Sequence, residues 1–282
     1  MAWQTALSVT PEQPDAGTIP GARYLAGPAP RALVHRGWQL GELAGMENSL
    51  SALRRSVDEG FRYLEIDVHA TLDGVVVLSH DAELDRVTTG SGPIAAQPWR
   101  RVAQARIRGR EPPATLREVL ERLPEALLNI DVKADPAVDP TLGLLAETDA
   151  WDRVCLASFS STRLARLRAV GGARLLTSCS PADALALRLR AWLRAARLTR
   201  CGRALRVPAR LAQLPRRYRA LTVVEPGLVA TAHELDMEVH VWVVDDPDEM
   251  RELLDMGVDG LVTDRPDALR AVLAERGQWP GG

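Results

Sequence analysis

The chain has 282 residues, of which 46% are hydrophobic and 26% charged, and its formal net charge is −2. This composition excludes disordered, collagen-like and disulfide-scaffold proteins, and no apolar run reaches the roughly 18 residues that a membrane span needs. The length fits one large α/β domain. Three widely spaced cysteines without a CxxC pair (Cys155, Cys179 and Cys201) are typical of reduced thiols in a cytoplasmic protein.

Residues 1–30 are predicted to form a flexible lead-in. Residues 11–30 contain five Pro and three Gly, which interrupt regular structure. No basic segment followed by an apolar one precedes them, so we expect no signal peptide.

Residues 31–277 are predicted to form a single domain in which strands alternate with helices. Strands are predicted at 32–35, 62–69, 127–132, 153–158, 173–177, 203–207, 238–244 and 259–263. Helices are predicted at 48–59, 115–122, 162–169, 181–196, 227–236, 247–256 and 266–276. Eight such units in about 250 residues predict an α/β fold, the (β/α)8 TIM barrel. An open doubly wound sheet is the alternative, although no G-x-G-x-x-G follows a strand.

Several of these helices have recognisable start signals. Asn48 and Asp246 are predicted N-caps, because their side chains can accept hydrogen bonds from the free backbone N–H groups of a first turn. Prolines suit the first helical position, and three helices begin with one: Pro181, Pro247 and Pro266.

One apolar run breaks the alternation. Val75–Leu78 follows the second strand after only Leu72-Asp73-Gly74, which is too short for a parallel crossover and therefore predicts a hairpin. We expect an insertion at about 68–124 on the C-terminal face of the barrel, where functional loops lie.

The segment from Ala184 to Val224 contains eleven Arg and no acidic residue. It has no recognisable nucleic-acid motif, so no nucleic-acid partner is expected. Residues 185–200 have an apolar stripe at helical spacing, formed by Leu185, Leu189, Trp192, Leu193 and Ala196. We interpret this segment as an outer barrel helix with a solvated basic face; the alternative is a peripheral contact with anionic membrane lipids.

Carboxylates alternate along two predicted strands, with Glu65 and Asp67 on the second and Asp131 on the third. Alternate residues of a strand face the same side, and two inward carboxylates on so apolar a strand would be costly without a cation. Carboxylate oxygens are the ligands that Mg²⁺ and Ca²⁺ prefer. These residues therefore predict a divalent metal site.

Histidines and cations lie at the same ends of the strands. His35 and His80 can divide acid and base duties near neutral pH, and Arg36 and Lys133 can hold an anionic oxygen. Lys133 is the only lysine among 35 basic residues, so its presence indicates a need for a compact cation. Together with a metal ion these groups are typical of phosphoryl transfer.

Four other polar residues are given supporting or structural interpretations. His69 is interpreted either as support for the site or as a plain hairpin residue. Asp264 is expected to fix a loop or cap the next helix, with a part in the chemistry as the alternative, and His233 and His240 are expected to be structural.

The chain resembles the glycerophosphodiester phosphodiesterase family. The likeness runs in order from about residue 32 to 275, nearly the whole domain, and the ordered set is much more specific than any one segment. The segments are HRGWQLGELAGMENS, YLEIDVHATLDGVVVLSHDAELDRVT, LLNIDVK and VHVWVVDDPDEMRELLDMGVDGLVTDRPD.

The resemblance implies a TIM barrel with an insertion after strand 2. It implies hydrolysis of glycerophosphodiesters to an alcohol and sn-glycerol 3-phosphate with Ca²⁺ or Mg²⁺, through attack by the substrate's own 2-hydroxyl. The implied roles are general base and acid for His35 and His80, metal binding for Glu65, Asp67 and Asp131, phosphate contact for Arg36 and Lys133, and support for Glu47. Trp242 is interpreted as a wall against the glycerol moiety, with core packing as the alternative.

Two departures from the family pattern affect these expectations. Asp131 stands where the family usually has Glu, which withdraws the carboxylate by about 1.5 Å; Met46 replaces a Pro. A lysophospholipase D-type activity on longer-chain substrates is the nearest alternative function. A non-catalytic binder of phosphodiesters or anionic lipid is a further alternative, which the presence of both histidines disfavours.

Overall fold

The structure is a computed structural model that describes residues 20–196, 205 and 207–279. Its strands are β1 (Arg31–His35), β2 (Tyr63–Ala70), β3 (Val76–Leu78), β4 (Leu127–Val132), β5 (Val154–Ala157), β6 (Leu176–Thr177), β7 (Leu211–Pro215), β8 (Arg217–Tyr218), β9 (Leu221–Thr222), β10 (Glu238–Trp242) and β11 (Gly260–Thr263). The described helices are α1 (Ala22–Leu25), α2 (Leu50–Asp58), α3 (Trp99–Val102), α4 (Leu116–Arg122), α5 (Val138–Glu147), α6 (Ser161–Gly171), α7 (Pro181–Ala195), α8 (Pro226–His233), α9 (Pro247–Asp255) and α10 (Pro266–Glu275).

Eight strands form a parallel barrel in the order β6-β5-β4-β2-β1-β11-β10-β7. The two end strands meet through a parallel bridge between Ser178 and Leu211, and the backbone N–H of Cys179 donates to the Leu211 carbonyl at 2.8 Å. The predicted TIM barrel is thus confirmed. The predicted hairpin is confirmed as well, because β3 pairs antiparallel with β2.

Strand register brings the polar residues of three neighbouring strands to one level. Glu65 of β2 lies between His35 of β1 and Asn129 of β4. Two residues further along, Asp67 pairs with Asp131. Both β2 and β4 are buried along their whole length, so apolar flanks hold these carboxylates in place.

One barrel strand was expected in the wrong segment, and α1, α3, α5, β8 and β9 were not expected at all. The strand expected at 203–207 lies largely outside the described residues, and the barrel position that it would fill belongs to β7, whose five residues pair with β10. Helix α5 was not predicted, since Pro140 and Gly143 interrupt its pattern. The remaining predicted strands and helices are observed with ends within a few residues.

The N-cap of α2 also differs from expectation. Ser49, not Asn48, caps this helix by accepting from the Ala52 N–H. Asn48 has a φ of 56° and is buried, which frees its side chain for a contact with β2 described below. The predicted cap at Asp246 is confirmed, as are the first-turn prolines of α7, α9 and α10.

The described cysteines are buried free thiols. Burial raises the pKa of Cys179 to about 12 and that of Cys155 well above its usual range, so neither is an activated nucleophile. Cys201 lies outside the described residues. Among the residues with described structure, no helix has both the length and the apolar character to cross a membrane.

Candidate active site

A cleft of about 730 Å³ opens at the carboxyl ends of the barrel strands. Eight of the nine predicted site residues line it: His35, Arg36, Glu65, Asp67, His80, Asp131, Lys133 and Trp242. The ninth, Glu47, lies behind Arg36, with Oε1 3.4 Å from Nη1. The topology therefore brings together side chains that are up to 207 positions apart in the sequence.

The turn after β1 places Arg36 at the cleft. Gly37 follows with a φ of +87°, and a Cβ there would lie 2.9 Å from the backbone carbon of Ala52. A side chain at this position would push the turn away from α2. With glycine present, Nε of Arg36 lies 2.9 Å from Oδ2 of Asp67.

Lys133 joins the two aspartates. Its Nζ lies 2.9 Å from Oδ1 of Asp67 and 2.7 Å from Oδ2 of Asp131. Burial alone would lower the pKa of Lys133, but the two carboxylates raise it above its ordinary value, so the ammonium stays charged. Asn48 holds Asp67 from behind, donating from Nδ2 to Oδ2 at 3.0 Å and accepting from the Asp67 N–H at 3.2 Å.

Two carboxylate oxygens in the cleft are buried without a hydrogen-bond partner, Oε2 of Glu65 and Oδ1 of Asp131. Burial, reinforced by Asp67 and Asp131, raises the pKa of Glu65 well above its usual range, and burial raises that of Asp131. Burial opposes the ionisation of Asp67 too, yet Lys133, Arg36 and Asn48 lower its pKa. The described residues contain no group of three His, Cys, Asp or Glu already arranged as a metal site; Nζ of Lys133 lies between Asp67 and Asp131.

His35 is held by a carboxylate from the last strand's end. Nδ1 of His35 lies 2.8 Å from Oδ1 of Asp264, and Nε2 lies 3.8 Å from Oε2 of Glu65. The expectation that the Asp264 side chain fixes a loop or caps α10 is wrong. Its carboxylate contacts His35 instead, and the N-cap residue of α10 is Arg265. A proton on Nδ1 shared with Asp264 leaves Nε2 free to act as a base.

His80 is held in the same way by its neighbour in the chain. Nδ1 of His80 lies 2.6 Å from Oδ1 of Asp81. Arg86 bonds the second oxygen of Asp81 and also donates to both oxygens of Glu47, at 2.7 and 2.8 Å. Hydrogen bonds from Arg86 and His80 outweigh burial and lower the pKa of Asp81 to about 2. The sequence analysis assigns no role to Asp81 or Arg86, although both lie in the SHDAELDR segment.

His69 supports the segment that carries His80. It is buried, with Nε2 3.3 Å from the backbone carbonyl oxygen of His80, and burial lowers its pKa below the ordinary value. Of its two interpretations, the contact favours support for the site over a plain hairpin residue.

The opposite wall of the cleft is aromatic and apolar. Trp242 packs edge-on against Phe159, with ring centroids 5.5 Å apart, and Nζ of Lys133 lies 5.6 Å from the Phe159 ring. Trp242 is thus a wall residue of the cleft. Five of the nine exposed large hydrophobic side chains in the described chain line the same cleft: Phe159, Leu185, Tyr218, Leu221 and Val243.

Helix α7 continues this wall, and on its basic face Arg194 is exposed whereas Arg190 is half-buried. Arg190 donates to the Leu205 carbonyl at 3.2 Å, and Arg194 pairs with Glu234 at 2.6 Å. Leu189 and Trp192 are exposed on the same helix. Arg197 and Arg200 of the same segment lie outside the described residues.

The fold and the side chains of the cleft define a (β/α)8-barrel enzyme of the phosphoric diester hydrolase class. The model of the glycerophosphoryl diester phosphodiesterase family matches residues 35–268, and the chain belongs to that family. The protein named probable glycerophosphodiester phosphodiesterase 2 of Mycobacterium tuberculosis is 39% identical over 267 residues, which cover 94% of this chain and 98% of that one.

More distant relatives share part of the sequence or the fold alone. A lysophospholipase D of Mus musculus is 32% identical over 119 residues, 37% of each chain. The crystal structure of a glycerophosphodiester phosphodiesterase from Parabacteroides distasonis superposes with a TM-score of 0.70 at 22% identity, covering 89% of this chain and all of that one. A phosphodiesterase from Oleispira antarctica, solved with the product sn-glycerol-3-phosphate, has a TM-score of 0.69 at 19% identity, covering 87% of this chain and 97% of that one.

Proposed function

We propose that the protein hydrolyses glycerophosphodiesters to an alcohol and sn-glycerol 3-phosphate, with a divalent cation and with His35 and His80 as base and acid. One observation carries the proposal. Two histidines, each oriented through Nδ1 by a carboxylate, line the same cleft as three buried carboxylates and two cations.

The carboxylates fit a bound Ca²⁺ or Mg²⁺. Glu65, Asp67 and Asp131 would hold it, and the two buried oxygens without partners, on Glu65 and Asp131, are the acceptors that a hard cation would satisfy. The shorter Asp131 is still buried on the same face as Asp67. When bound, the cation supplies Lewis-acid stabilisation of charge on the phosphoryl oxygens.

The side chains of this cleft can then perform a two-step hydrolysis. Arg36 and Lys133 orient the anionic oxygens, and Nε2 of His35 accepts the proton of the substrate's 2-hydroxyl as its oxygen bonds to phosphorus. The bond from phosphorus to the leaving alcohol breaks, and that alcohol takes a proton from His80. Water then opens the cyclic phosphate: His80 accepts a proton from the attacking water, and His35 returns its proton to the 2-hydroxyl oxygen as that oxygen leaves phosphorus.

Hydrolysis of glycerophosphocholine tests this proposal directly. EDTA should abolish turnover and excess Ca²⁺ or Mg²⁺ should restore it, while His35→Ala should lower kcat by roughly 100-fold or more. His233→Ala is the matched control, because His233 pairs with Asp259 on the outside of the barrel. Activity untouched by both EDTA and His35→Ala would refute the mechanism.

A lysophospholipase D-type activity is the second candidate. The exposed apolar side chains around the cleft, among them Leu185, Tyr218 and Leu221, offer a surface for an acyl chain. The kcat/KM values for lysophosphatidylcholine and glycerophosphocholine, measured under the same conditions, distinguish the two activities. A higher kcat/KM for the lysolipid, reduced selectively by Leu185→Ser, would support this candidate.

We also propose a peripheral contact of segment 185–200 with anionic membranes. Leu185, Leu189 and Trp192 are exposed on one helix, as an interfacial helix requires. Co-sedimentation with liposomes should increase with the anionic lipid fraction and fall for Trp192→Ser. Sedimentation that does not depend on the anionic lipid fraction would refute the proposed membrane contact.

A further inference from the structure

A buried arginine on α7 lines the cleft and has no role in the chemistry proposed above. Arg188 is 6% exposed and lies on the wall formed with Ala184 and Leu185. Its spacing from Leu185 and Trp192, three and four positions, places it on the apolar face of the helix. An unpaired charge on such a face would be strongly destabilising.

The guanidinium of Arg188 is held but not satisfied. Nη1 lies 2.5 Å from Oε1 of Glu225, and the guanidinium carbon lies 4.8 Å from the centre of the Trp192 ring. Nε, by contrast, is buried without a hydrogen-bond partner among the described residues. Glu225 is more than one-third exposed, so its carboxylate orients Arg188 while remaining partly in water.

Buried donors without acceptors are rare, and a missing ligand is one of their explanations. A guanidinium presents parallel N–H groups that match the two oxygens of a carboxylate or phosphate. Helix α7 follows β6, whereas the phosphate-binding Arg36 and Lys133 follow β1 and β4, so Arg188 is a cation on another wall of the same cleft.

We infer that Arg188 binds a second anionic group, carried by the alcohol portion of the substrate. The inference rests on the proposed function and names its substrate class. Glycerophosphodiesters whose alcohol bears a carboxylate or a further phosphate are favoured over those with a neutral or cationic alcohol. Trp192 and Glu225 are positioning residues for this guanidinium.

Two matched substrate pairs test the inference and distinguish the two anions. Glycerophosphoserine and glycerophosphoethanolamine differ by a carboxylate; glycerophosphoglycerol and its terminal phosphate monoester differ by a phosphate. Arg188→Gln should lower kcat/KM for the anionic member of at least one pair by roughly tenfold or more, the scale of a charge-assisted hydrogen bond, mainly through KM. The other member should change little, and Arg190→Gln should preserve the wild-type preference.

A second variant tests the same site without removing the arginine. Glu225→Gln takes away the competing carboxylate and should increase the preference for the anionic substrate. If Arg188→Gln does not fold, the result for Glu225→Gln decides the question. Unchanged preference in the folded variants would overturn the role of Arg188 while leaving the proposed function intact. Failure of the wild type to hydrolyse any diester would instead overturn both.

Discussion

Lys133 touches two buried carboxylates at once, and its geometry sets a strict requirement on size. The single Nζ lies within 2.9 Å of both Asp67 and Asp131, with the Phe159 ring on another side. A compact ammonium on a thin stem fits between these groups, whereas a guanidinium is a broad planar fork. The only lysine of the chain therefore occupies a position where arginine is a poor replacement.

Lys133→Arg should consequently lose most turnover although it preserves the charge. We expect kcat/KM on glycerophosphocholine to fall by roughly tenfold or more, because the larger head displaces Asp67 or Asp131 and with it the reacting phosphate. Steady-state kinetics measure kcat/KM. Arg117→Lys, at an exposed position, is the control for exchanging one basic residue for the other. Near-normal activity of Lys133→Arg would show that position 133 does not require lysine.

Arg86 bonds Asp81 on one side and Glu47 on the other, so it determines how firmly Asp81 holds His80. Arg86→Met should let His80 turn and impair proton donation to the leaving alcohol. On glycerophosphocholine we expect kcat to fall by about tenfold. The p-nitrophenyl ester of glycerol phosphate should lose far less, because nitrophenolate leaves without a proton.

The comparison of leaving groups separates positioning from general damage. A merely structural role for Arg86 would lower both rates in parallel, and that result would contradict the prediction. Arg101→Met is the matched control, since Arg101 is exposed on the same insertion and, within the part of the chain that the structure describes, its side chain bonds only to Gln97.

At the scale of elements, the amino ends of β1 and β10 are joined by an ion pair far from the chemistry. Arg31 of β1 donates to both oxygens of Glu238 of β10, each at 2.6 Å, and to Tyr63 of β2. Burial opposes the ionisation of Glu238, but hydrogen bonds from Arg31 and His240 lower its pKa from 4.5 to about 2. The pair therefore stabilises the folded barrel only while Glu238 is ionised.

Glu238→Gln should destabilise the protein at pH 7 and progressively less in acid. A depressed folded pKa contributes stability that is present above the unfolded value of 4.5 and is lost as the pH falls towards 2. The shift corresponds to about 3 kcal/mol at neutral pH. Urea unfolding at pH 7 and pH 3 measures the difference between wild type and variant, which should shrink at pH 3.

Exposed Glu234, which pairs with Arg194, provides the control for this measurement. Glu234→Gln should change the free energy of unfolding by less than about 1 kcal/mol at either pH. A Glu238→Gln penalty that is equal at both pH values would show that packing, not charge, accounts for it.

The elements that sequence analysis located correctly are those with strong local signals. β2 and β4 are rich in apolar residues because parallel barrel strands are buried on both faces, and this also made their inward carboxylates conspicuous. β7 was misplaced because LAQLP is a weak strand signal beside the β-rich RALRV. The partners of Asn48 and Asp264 lie 19 and 229 positions away, so only the fold could reveal them.

In the whole molecule, the ion pair that stabilises the barrel and the side chains proposed to carry out the reaction lie at opposite ends of the strands. At the amino ends, Arg31, Glu238, Tyr63 and Tyr24 form a hydrogen-bonded group that joins the strands. At the carboxyl ends lie three acidic residues, and their mutual repulsion and their burial destabilise the fold. Lys133 and Arg36 offset part of that repulsion. A bound cation would offset more, which links metal binding to global stability.

The protein should therefore melt at a higher temperature when Ca²⁺ or Mg²⁺ is bound. A ligand at 100 times its dissociation constant adds about 2.7 kcal/mol, which for a domain of this size raises Tm by roughly 5–10 °C. Differential scanning calorimetry with EDTA and with each metal measures the shift without reference to activity. Asp131→Asn should abolish it, whereas Asp135→Asn, at an exposed position shortly after β4, should preserve it. An equal shift in wild type and Asp131→Asn would place the cation elsewhere.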